Sequence, residues 1–217
     1  MAVKAGPRII KEGLIFNVDP AVSRSYSGTG LTANGLVAGM GATLVNGTGF
    51  SSANNGSFFF DGTNDYLNVG NATTVQITSG TIAVWCKTSN AGGGYRGIVA
   101  KQYAYGFFYT DNVLTLYDWQ IPRASSSGYN LADNRWQHVV FSFQSGVSNG
   151  SVLYLNGAGI LTTTYSISSN AYNLFIGAEA NALQYAACNI AQTLIYNRVL
   201  SAQEVLQLYN TTKKRYQ

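Results

Sequence analysis

Three side chains with oxygen ligands, Asp61, Asn64 and Asp65, lie close together in the sequence and could bind a hard cation. Calcium takes carboxylate and amide oxygens as ligands. The same side chains also stabilise turns by accepting hydrogen bonds from nearby backbone amides, and Asp61-Gly62 favours a tight turn. The sequence therefore predicts a turn here and no cofactor, with calcium binding as the alternative.

Acid–base catalysis has few candidate residues in this chain. Glycoside hydrolysis needs two neighbouring carboxyl groups, but no two of the nine Asp and Glu residues alternate along one predicted strand. His138 is the only histidine, and it lies inside a predicted strand, so a Ser–His–Asp triad would have to use a strand residue as its base. We therefore predict that the protein is not an enzyme and has no catalytic residue.

Carbohydrate binding has better candidates. Sugar rings stack on exposed aromatic side chains, and polar neighbours bind their hydroxyl groups. Trp119, between Asp118 and Gln120, is the strongest candidate. The full predicted set of loop aromatic residues is Trp119, Tyr103, Tyr105, Tyr129 and Tyr185. The alternative is that these rings cover a sheet face or a subunit interface, where Tyr and Trp are also common.

The composition indicates one β-rich domain. Only 10% of the 217 residues are charged, against roughly 25% in ordinary soluble domains. The fifteen Tyr, ten Phe, 24 Gly and three Pro suit strands joined by turns. The two cysteines, Cys86 and Cys188, lie in strand-like segments; free thiols are the prediction, and a disulfide is the alternative.

Basic residues lie near both ends of a chain whose formal net charge is +4. They could anchor the protein to an acidic neighbour in an assembly, or they could lie in solvent. The sequence has no nucleic-acid-binding motif, no signal peptide and no apolar run of the ~20 residues that cross a membrane. We predict synthesis in a host cytoplasm, no nucleic-acid binding and no membrane insertion. The candidate anchors are Lys4, Arg8, Lys213, Lys214 and Arg215.

Segments of strand-forming residues separated by turn residues run through most of the chain and predict a β-sandwich. Asp61-Gly62, Asp111-Asn112 and Asn156-Gly157 are turn dipeptides, and each is expected to reverse the chain between two strands. One helix is predicted near the C-terminal end from the capping box Ser201–Glu204. Its expected apolar face consists of Val205, Leu206 and Tyr209.

Five segments of the sequence carry family motifs in a fixed order. They are SFFFDGTNDYL (57–67), TIAVWCK (81–87), WQHVV (136–140), LYLNG (153–157) and the stretch from LFIG to the capping box (174–204). Together they resemble the laminin-G-like jelly-roll domain of the concanavalin A-like lectin/glucanase superfamily. The resemblance implies an all-β, two-sheet antiparallel jelly-roll sandwich with one short C-terminal helix. It also implies that Trp85 and Trp136 pack in the core.

The domain organisation that follows has three parts. An extended N-terminal arm (1–12) precedes a jelly-roll domain (13–210), and a basic C-terminal tail (211–217) follows it.

The resemblance implies a non-enzymatic role. Ala191-Gln192 stands where the family often has acidic residues, and the E-x-D-x-x-E motif of glucanases on this fold is missing. Proteins of this kind are found among the structural proteins of tailed phages. We therefore expect a virion protein (capsid decoration, neck, or tail fibre) whose partners are other virion proteins, further copies of itself and host-surface glycans. The alternatives are a soluble or secreted lectin-like adhesin and, more remotely, a glycan hydrolase.

Overall fold

The computed structural model describes residues 9–37, 39–89, 93–168, 170–179 and 184–216. Within these ranges the chain forms sixteen strands and one α-helix. They are β1 (Leu14–Val18), β2 (Thr32–Ala33), β3 (Ala42–Val45), β4 (Gly49–Ser51), β5 (Ser57–Asp61), β6 (Tyr66–Gly70), β7 (Ser79–Lys87), β8 (Tyr95–Lys101), β9 (Tyr105–Thr110), β10 (Val113–Asp118), β11 (Arg123–Asn130), β12 (Gln137–Gln144), β13 (Ser151–Leu155), β14 (Ala158–Thr163), β15 (Leu174–Ile176), β16 (Ala187–Tyr196) and α1 (Ala202–Thr212).

The strands form two antiparallel sheets. The first sheet has the order β14-β13-β12-β7-β16-β5-β4, with β1 also beside β16, and the second has the order β11-β10-β9-β8-β15-β6-β3-β2. Alternate side chains of both sheets meet in one apolar core between them. The predicted two-sheet antiparallel jelly-roll sandwich with one short C-terminal helix is confirmed.

The turn at Asp61-Gly62 carries the chain from one sheet to the other. Before the turn, β5 pairs with both β4 and β16 in the first sheet, so neither of its edges is free. After the turn, β6 pairs with β3 and β15 in the second sheet. The expected turn is present, with φ +80° at Gly62, but the prediction that the chain reverses into a paired strand is wrong.

The other two turn dipeptides make the predicted hairpins. Asp111-Asn112 joins β9 to β10, and Asn156-Gly157 joins β13 to β14. The φ angles are 49° and 72° in the first pair and 52° and 84° in the second. Positive φ at both central positions is the type I′ geometry, which matches the twist of the two strands.

The outer face of the first sheet is covered by the helix and the C-terminal residues. Trp85 lies there, 2% exposed, with its ring stacked on Tyr216 at 4.2 Å and its Nε1 donating to the Thr212 hydroxyl. Its strand neighbours Val84 and Cys86 face the core between the sheets, so alternation directs Trp85 outward. Trp136 is only half-buried. The prediction that both tryptophans pack in the core is confirmed for Trp85, which lies in a buried cluster with Ala191 and Tyr216, and is wrong for Trp136, which is only partly buried against that cluster.

Helix α1 begins with the predicted capping box. The Ser201 hydroxyl accepts from the Glu204 amide, and the Glu204 carboxylate accepts from the Ser201 amide. Val205 and Leu208 are the buried residues of the helix. Leu206 is 45% exposed, so its expected place on the apolar face is wrong.

The predicted C-terminal tail packs on the sandwich over residues 211–216. The last residues form a 3₁₀ turn, and Tyr216 is buried beside Trp85. Arg215 forms a two-point ion pair with Asp19 at 2.7 and 2.9 Å and also donates to the Gly56 carbonyl. Arg215 is therefore bound within the chain, which contradicts a free anchor at this position.

The other candidate anchors have mixed outcomes. Lys213 places its Nζ 5.2 Å from the centre of the Tyr209 ring, and Lys214 is exposed. Lys4 and Arg8 lie outside the described residues. At the N-terminal side, Ile9 and Ile10 pack against the apolar cluster under α1, so this part of the predicted arm belongs to the folded body.

Candidate functional site

The outer face of the second sheet carries a group of aromatic side chains. In β9 and β10, Phe107, Tyr109, Leu114 and Leu116 face the core. The residues between them face the opposite side, because side chains alternate along a strand. We call the four outer rings the aromatic tetrad: Tyr95 from β8, Phe108 from β9, Tyr117 from β10 and Trp119 from the turn that follows β10.

The tetrad is a closed ring of edge-to-face contacts. Tyr95 lies 5.9 Å from Phe108 and 5.5 Å from Tyr117, measured between ring centres. Trp119 lies 5.7 Å from both Phe108 and Tyr117. Interplanar angles of 66–84° place the edge of one ring against the face of the next. Each ring therefore fixes the orientation of two others, which keeps the cluster rigid.

Buried Asp118 holds the turn that carries Trp119. Its Oδ1 accepts from the Gln120 amide at 2.9 Å, and its Oδ2 accepts from the Ser166 amide at 2.8 Å. The Gln120 side chain then donates to the Tyr103 carbonyl at 3.0 Å. The turn that carries Trp119 is thus tied to the turn that carries Tyr103, so the Tyr103 ring is held beside the tetrad.

A cavity of about 310 Å³ opens between the tetrad and the neighbouring loops. Tyr103 at its rim is 45% exposed and packs against Tyr172, with 5.3 Å between ring centres. We call this space the aromatic cavity. Its lining consists of Tyr95, Gln102, Tyr103, Phe108, Tyr117, Trp119, Glu179 and Gln184.

Glu179 reaches the cavity from the loop after β15. Gly177 and Ala186 close the base of this loop, because the Ala186 amide donates to the Gly177 carbonyl at 2.9 Å. The Gly97 amide donates to the Gln184 carbonyl at 3.0 Å. The backbone at Glu179 therefore lies against β8, next to Tyr95.

The carboxyl group of Glu179 is buried among these rings. The residue is 7% exposed, and burial raises its pKa to about 7. Burial also raises the pKa of Tyr95, with a smaller contribution from Tyr117. The low exposure of Glu179 places its carboxyl group at a poorly solvated end of the cavity, where a polar ligand group would form strong hydrogen bonds.

The structure brings together part of the predicted glycan-binding set. Trp119 and Tyr103 both line the aromatic cavity, together with Gln184. Tyr185 lies next to it in a second aromatic group, stacked on Tyr66 with 6.1 Å between ring centres. Tyr129 is exposed on the edge strand β11 and does not line the cavity.

Tyr105 is a wrong prediction. It lies in β9 with no exposed surface, its ring stacks on Phe143 at 4.9 Å, and its hydroxyl donates to the Val75 carbonyl. Tyr105 is one of the residues of β9 whose side chains face the core between the sheets, so no ligand can reach its ring.

Five lining residues were not predicted from the sequence: Tyr95, Gln102, Phe108, Tyr117 and Glu179. Phe108 and Tyr117 lie in segments that were recognised as strands, and the two-residue alternation along those strands would have placed them on one outer face. Tyr95 begins the next strand of the same sheet. Glu179 carries no comparable signal, because it follows a short strand and is positioned by contacts distant in sequence.

In the structure, the two aspartates among the candidate calcium ligands accept hydrogen bonds from backbone amides. Asp65 is buried, and its two oxygens accept from the amides of Gly47 at 2.8 Å and Asp61 at 3.2 Å. Asp61 Oδ1 accepts from the Thr63 amide at 2.7 Å. Among the described residues, no group of three or more His, Cys, Asp and Glu side chains is placed to hold a metal ion. Calcium binding at Asp61, Asn64 and Asp65 stays an untested alternative.

The chain's histidine and cysteines are buried in the first sheet. His138 lies beside Trp85 with 5.1 Å between ring centres, and burial lowers its pKa to about 3. Cys86 and Cys188 are both free thiols, and burial raises the pKa of Cys86 to about 12. Neither the imidazole nor the thiols are exposed to a substrate.

No described helix is long and apolar enough to cross a membrane.

A larger cleft of about 490 Å³ lies near the end of the first sheet, beside Trp136. Its polar side chains already bond to one another. The Trp136 indole donates to Asn54 Oδ1 at 3.0 Å, and Asn156 donates to Gln137 Oε1 at 2.5 Å. The aromatic cavity differs because its carboxyl group has no such bond, and we regard the aromatic cavity as the functional site.

Comparison with known proteins places the chain in a known fold. The Laminin_G_3 family model, described as the concanavalin A-like lectin/glucanases superfamily, matches residues 61–206. This range is more than half of the chain and contains every residue that lines the aromatic cavity. No curated protein sequence matches the chain.

Solved structures with similar folds include an enzyme and two toxin domains. Trypanosoma rangeli sialidase in complex with sialic acid is 14% identical with a TM-score of 0.71, over 94% of this chain and 33% of the sialidase. The binding domain of Paraclostridial Mosquitocidal Protein 1 is 15% identical with a TM-score of 0.70, over 92% of this chain and 52% of that domain. The botulinum neurotoxin serotype D binding domain is 14% identical with a TM-score of 0.64, over the same shares. The chain thus spans a third to a half of these structures, and the likeness shows the fold alone.

Proposed function

Because the chain belongs to the concanavalin A-like lectin/glucanases superfamily, we propose that it is a lectin-like module that binds glycans in the aromatic cavity. The observation that carries this proposal is the closed aromatic tetrad on a sheet face that α1, the one α-helix of the described residues, does not cover. Sugar rings present C–H faces that stack on such rings, and their hydroxyl groups need polar partners at the edge.

The cavity supplies both kinds of contact. Trp119 and Tyr103 offer partly exposed rings at the mouth, and the amides of Gln102 and Gln184 lie beside them. Glu179 provides a carboxyl group at the buried end. The volume of about 310 Å³ is at the small end of ligand sites. We therefore expect it to hold one or two sugar residues of a longer chain.

Binding is favoured over hydrolysis by the number of carboxyl groups. Glu179 is the only Asp or Glu among the described residues that line the cavity. Most glycoside hydrolases need a second carboxyl group at a fixed distance, although sialidases use a tyrosine nucleophile. A fluorogenic glycoside and a fluorogenic sialoside should therefore both remain uncleaved by the protein, and release of either fluorophore would argue for an enzyme.

Proteins with this fold are used in recognition, which agrees with the proposal. Two of the similar structures are binding domains of toxins, and a third is a sialidase bound to sialic acid. Their low identity transfers no ligand to this chain. The proposal rests on the cavity itself.

The role in a phage particle stays a prediction from the sequence. A glycan-binding module could serve a virion by attaching it to a host surface, and the partners would then be other virion proteins and further copies of this chain. Quantitative mass spectrometry of purified particles tests this role. A fixed ratio to the major capsid protein would support it, and absence from the particles would exclude it.

A glycan array with labelled protein tests the binding proposal. We expect binding to at least one class of glycan. Trp119→Ala should weaken this binding by about tenfold or more, because a stacking ring is lost. Trp136→Ala is the matched control, since it removes a half-buried tryptophan from the other cleft. Binding that is lost in Trp136→Ala and kept in Trp119→Ala would move the site to that cleft.

A further inference from the structure

The Glu179 side chain is buried and has no partner among the residues that the structure describes. It accepts no hydrogen bond and forms no ion pair with any residue that the structure describes, whereas Asp19, Asp65 and Asp118 each have two or more partners. A buried polar group without a bond destabilises the folded protein unless a ligand or water satisfies it. The unusual feature of the cavity is therefore a carboxyl group for which no described residue supplies a partner, so that a bound ligand could supply one.

No cation of the described chain compensates this group. Lys, Arg and His are all missing from the described lining of the cavity. Arg96 follows Tyr95 in β8 and lies opposite Tyr109 of β9, whose side chain faces the core. Because directly opposite residues share a face of the sheet, the Arg96 side chain lies on the face away from the aromatic cavity. The other titratable groups among the described lining residues of the cavity are the phenols of Tyr95, Tyr103 and Tyr117.

The surrounding rings favour a positive charge. The face of an aromatic ring carries negative potential, and Trp and Tyr attract ammonium groups within about 6 Å of their centres. The contact is stronger when both partners are desolvated. A carboxylate together with several ring faces is the chemical environment that binds an ammonium group.

We propose that the aromatic cavity selects glycans that carry a free amino group, with Glu179 as the ion-pair partner of the ammonium and the rings of Tyr95, Tyr117 and Trp119 around it. This inference rests on the glycan binding proposed above and specifies its substrate class. A neutral sugar offers only hydroxyl groups to Glu179. An acidic sugar places a second negative charge beside it, and this should weaken binding.

Affinities for three oligosaccharides of equal length test the inference. The probes are a glucosamine tetramer, an N-acetylglucosamine tetramer and a β-linked glucose tetramer, and binding is measured by calorimetry. We expect the glucosamine tetramer to bind about tenfold more tightly than the other two, the gain of one charge-assisted contact. Equal affinities for all three would overturn the inference and leave the glycan-binding proposal intact.

Glu179→Gln separates charge from shape. Gln keeps the size of the side chain and removes its charge, so the affinity for the glucosamine tetramer should fall to that of the N-acetylated tetramer. Within this variant the three tetramers should bind with equal affinity, because the charge that distinguishes them is gone. Glu12→Gln is the matched control, because Glu12 is an exposed glutamate remote in sequence. A preference for the amine that survives in Glu179→Gln would contradict the assigned role.

A small probe distinguishes failure of the inference from failure of the proposed function. Tetramethylammonium has the charge of the expected group and no sugar. If neither the tetramers nor any glycan on the array binds, but tetramethylammonium quenches tryptophan fluorescence in the wild type and not in Glu179→Gln, the cation site stands and the glycan proposal falls. If the tetramers, the glycans of the array and tetramethylammonium all fail to bind, both fall. Circular dichroism of each variant confirms that it is folded.

Discussion

Gly97 and Glu179 meet where the loop after β15 crosses β8. A Cβ atom on Gly97 would lie 2.5 Å from the Glu179 nitrogen and 2.4 Å from the Ala178 carbonyl carbon. Both are backbone atoms, and they cannot rotate away as the end of a long side chain could. The missing side chain of Gly97 therefore allows the backbone to place the Glu179 carboxyl group beside Tyr95.

Gly97→Ala should displace the loop and with it the carboxyl group. We expect a loss of about 1–3 kcal/mol in the free energy of unfolding, the usual cost of overpacking, together with weaker binding in the cavity. Urea unfolding and calorimetry measure the two effects. Gly159→Ala is the control, because a Cβ there would lie 3.7 Å from its nearest neighbours. Equal stabilities of the two variants would contradict the close contact.

Trp85→Ala should destabilise the protein far more than Trp136→Ala. Trp85 is 2% exposed and stacks on Tyr216, whereas Trp136 is half-buried. We expect a loss of about 3–5 kcal/mol for the first variant and clearly less for the second. Urea unfolding followed by circular dichroism provides both values. A loss for Trp136→Ala equal to that for Trp85→Ala would contradict the placement of the two rings.

Arg215→Met should destabilise the C-terminal segment. The side chains of Arg215 and Asp19 are 16% and 9% exposed, so the substitution leaves a buried carboxylate without its cation. Breaking such a pair costs about 3–5 kcal/mol. Lys214→Met, at an exposed position, should change the free energy of unfolding by less than about 0.5 kcal/mol. If thermal and urea unfolding did not distinguish the two variants, the ion pair would not hold the segment.

Stability should also depend on pH through Glu179. Its pKa rises from 4.5 to about 7 on folding, so the folded state binds this proton more tightly than the unfolded chain does. The stabilising contribution of the protonated group is fully present below pH 4.5 and is lost as the pH rises through about 7.

A comparison with Glu179→Gln isolates this dependence. The free energy of unfolding of the wild type, relative to the variant, should fall between pH 4.5 and about 7, with a slope of at most about 1.4 kcal/mol per pH unit. The contribution of His138 is the same in both proteins and cancels in the difference. A difference that stays constant or rises over this range would contradict the burial of Glu179.

The fold was predictable because its signals are local or repeated. Asp111-Asn112 and Asn156-Gly157 specify type I′ hairpins through their own backbone preferences. The capping box at Ser201 and Glu204 specifies where the helix begins. These features depend on neighbours in the sequence, and the structure contains them all.

The wrong predictions concern features that depend on contacts between residues distant in the sequence. Asp61-Gly62 specifies a turn but not the sheet that the chain enters after it, because that depends on which edges of β5 are already paired. Tyr105 begins a strand, and whether its ring faces the core depends on register. The strand β11 lacks apolar alternation, since it contains mainly Ala, Ser and Gly, and pairing with β10 forms it.

The candidate site was predictable only in part. Trp119 stands in a turn between polar residues, so its exposure could be inferred from its neighbours. Glu179 is separated from Tyr95 by more than eighty residues in the sequence and approaches it through the contact with Gly97. No single-sequence pattern relates two such positions.

The three tryptophans provide the most direct test of the site, because each lies in a different environment. Trp119 lines the aromatic cavity, Trp136 lines the other cleft, and Trp85 is buried under the C-terminal segment. A ¹H–¹⁵N spectrum resolves their indole N–H signals, which can be assigned by single substitutions and followed while the glucosamine tetramer is added. The account predicts that the Trp119 signal shifts in a saturable way while the other two stay in place. A shift confined to Trp136, or no shift at saturating ligand, would contradict it.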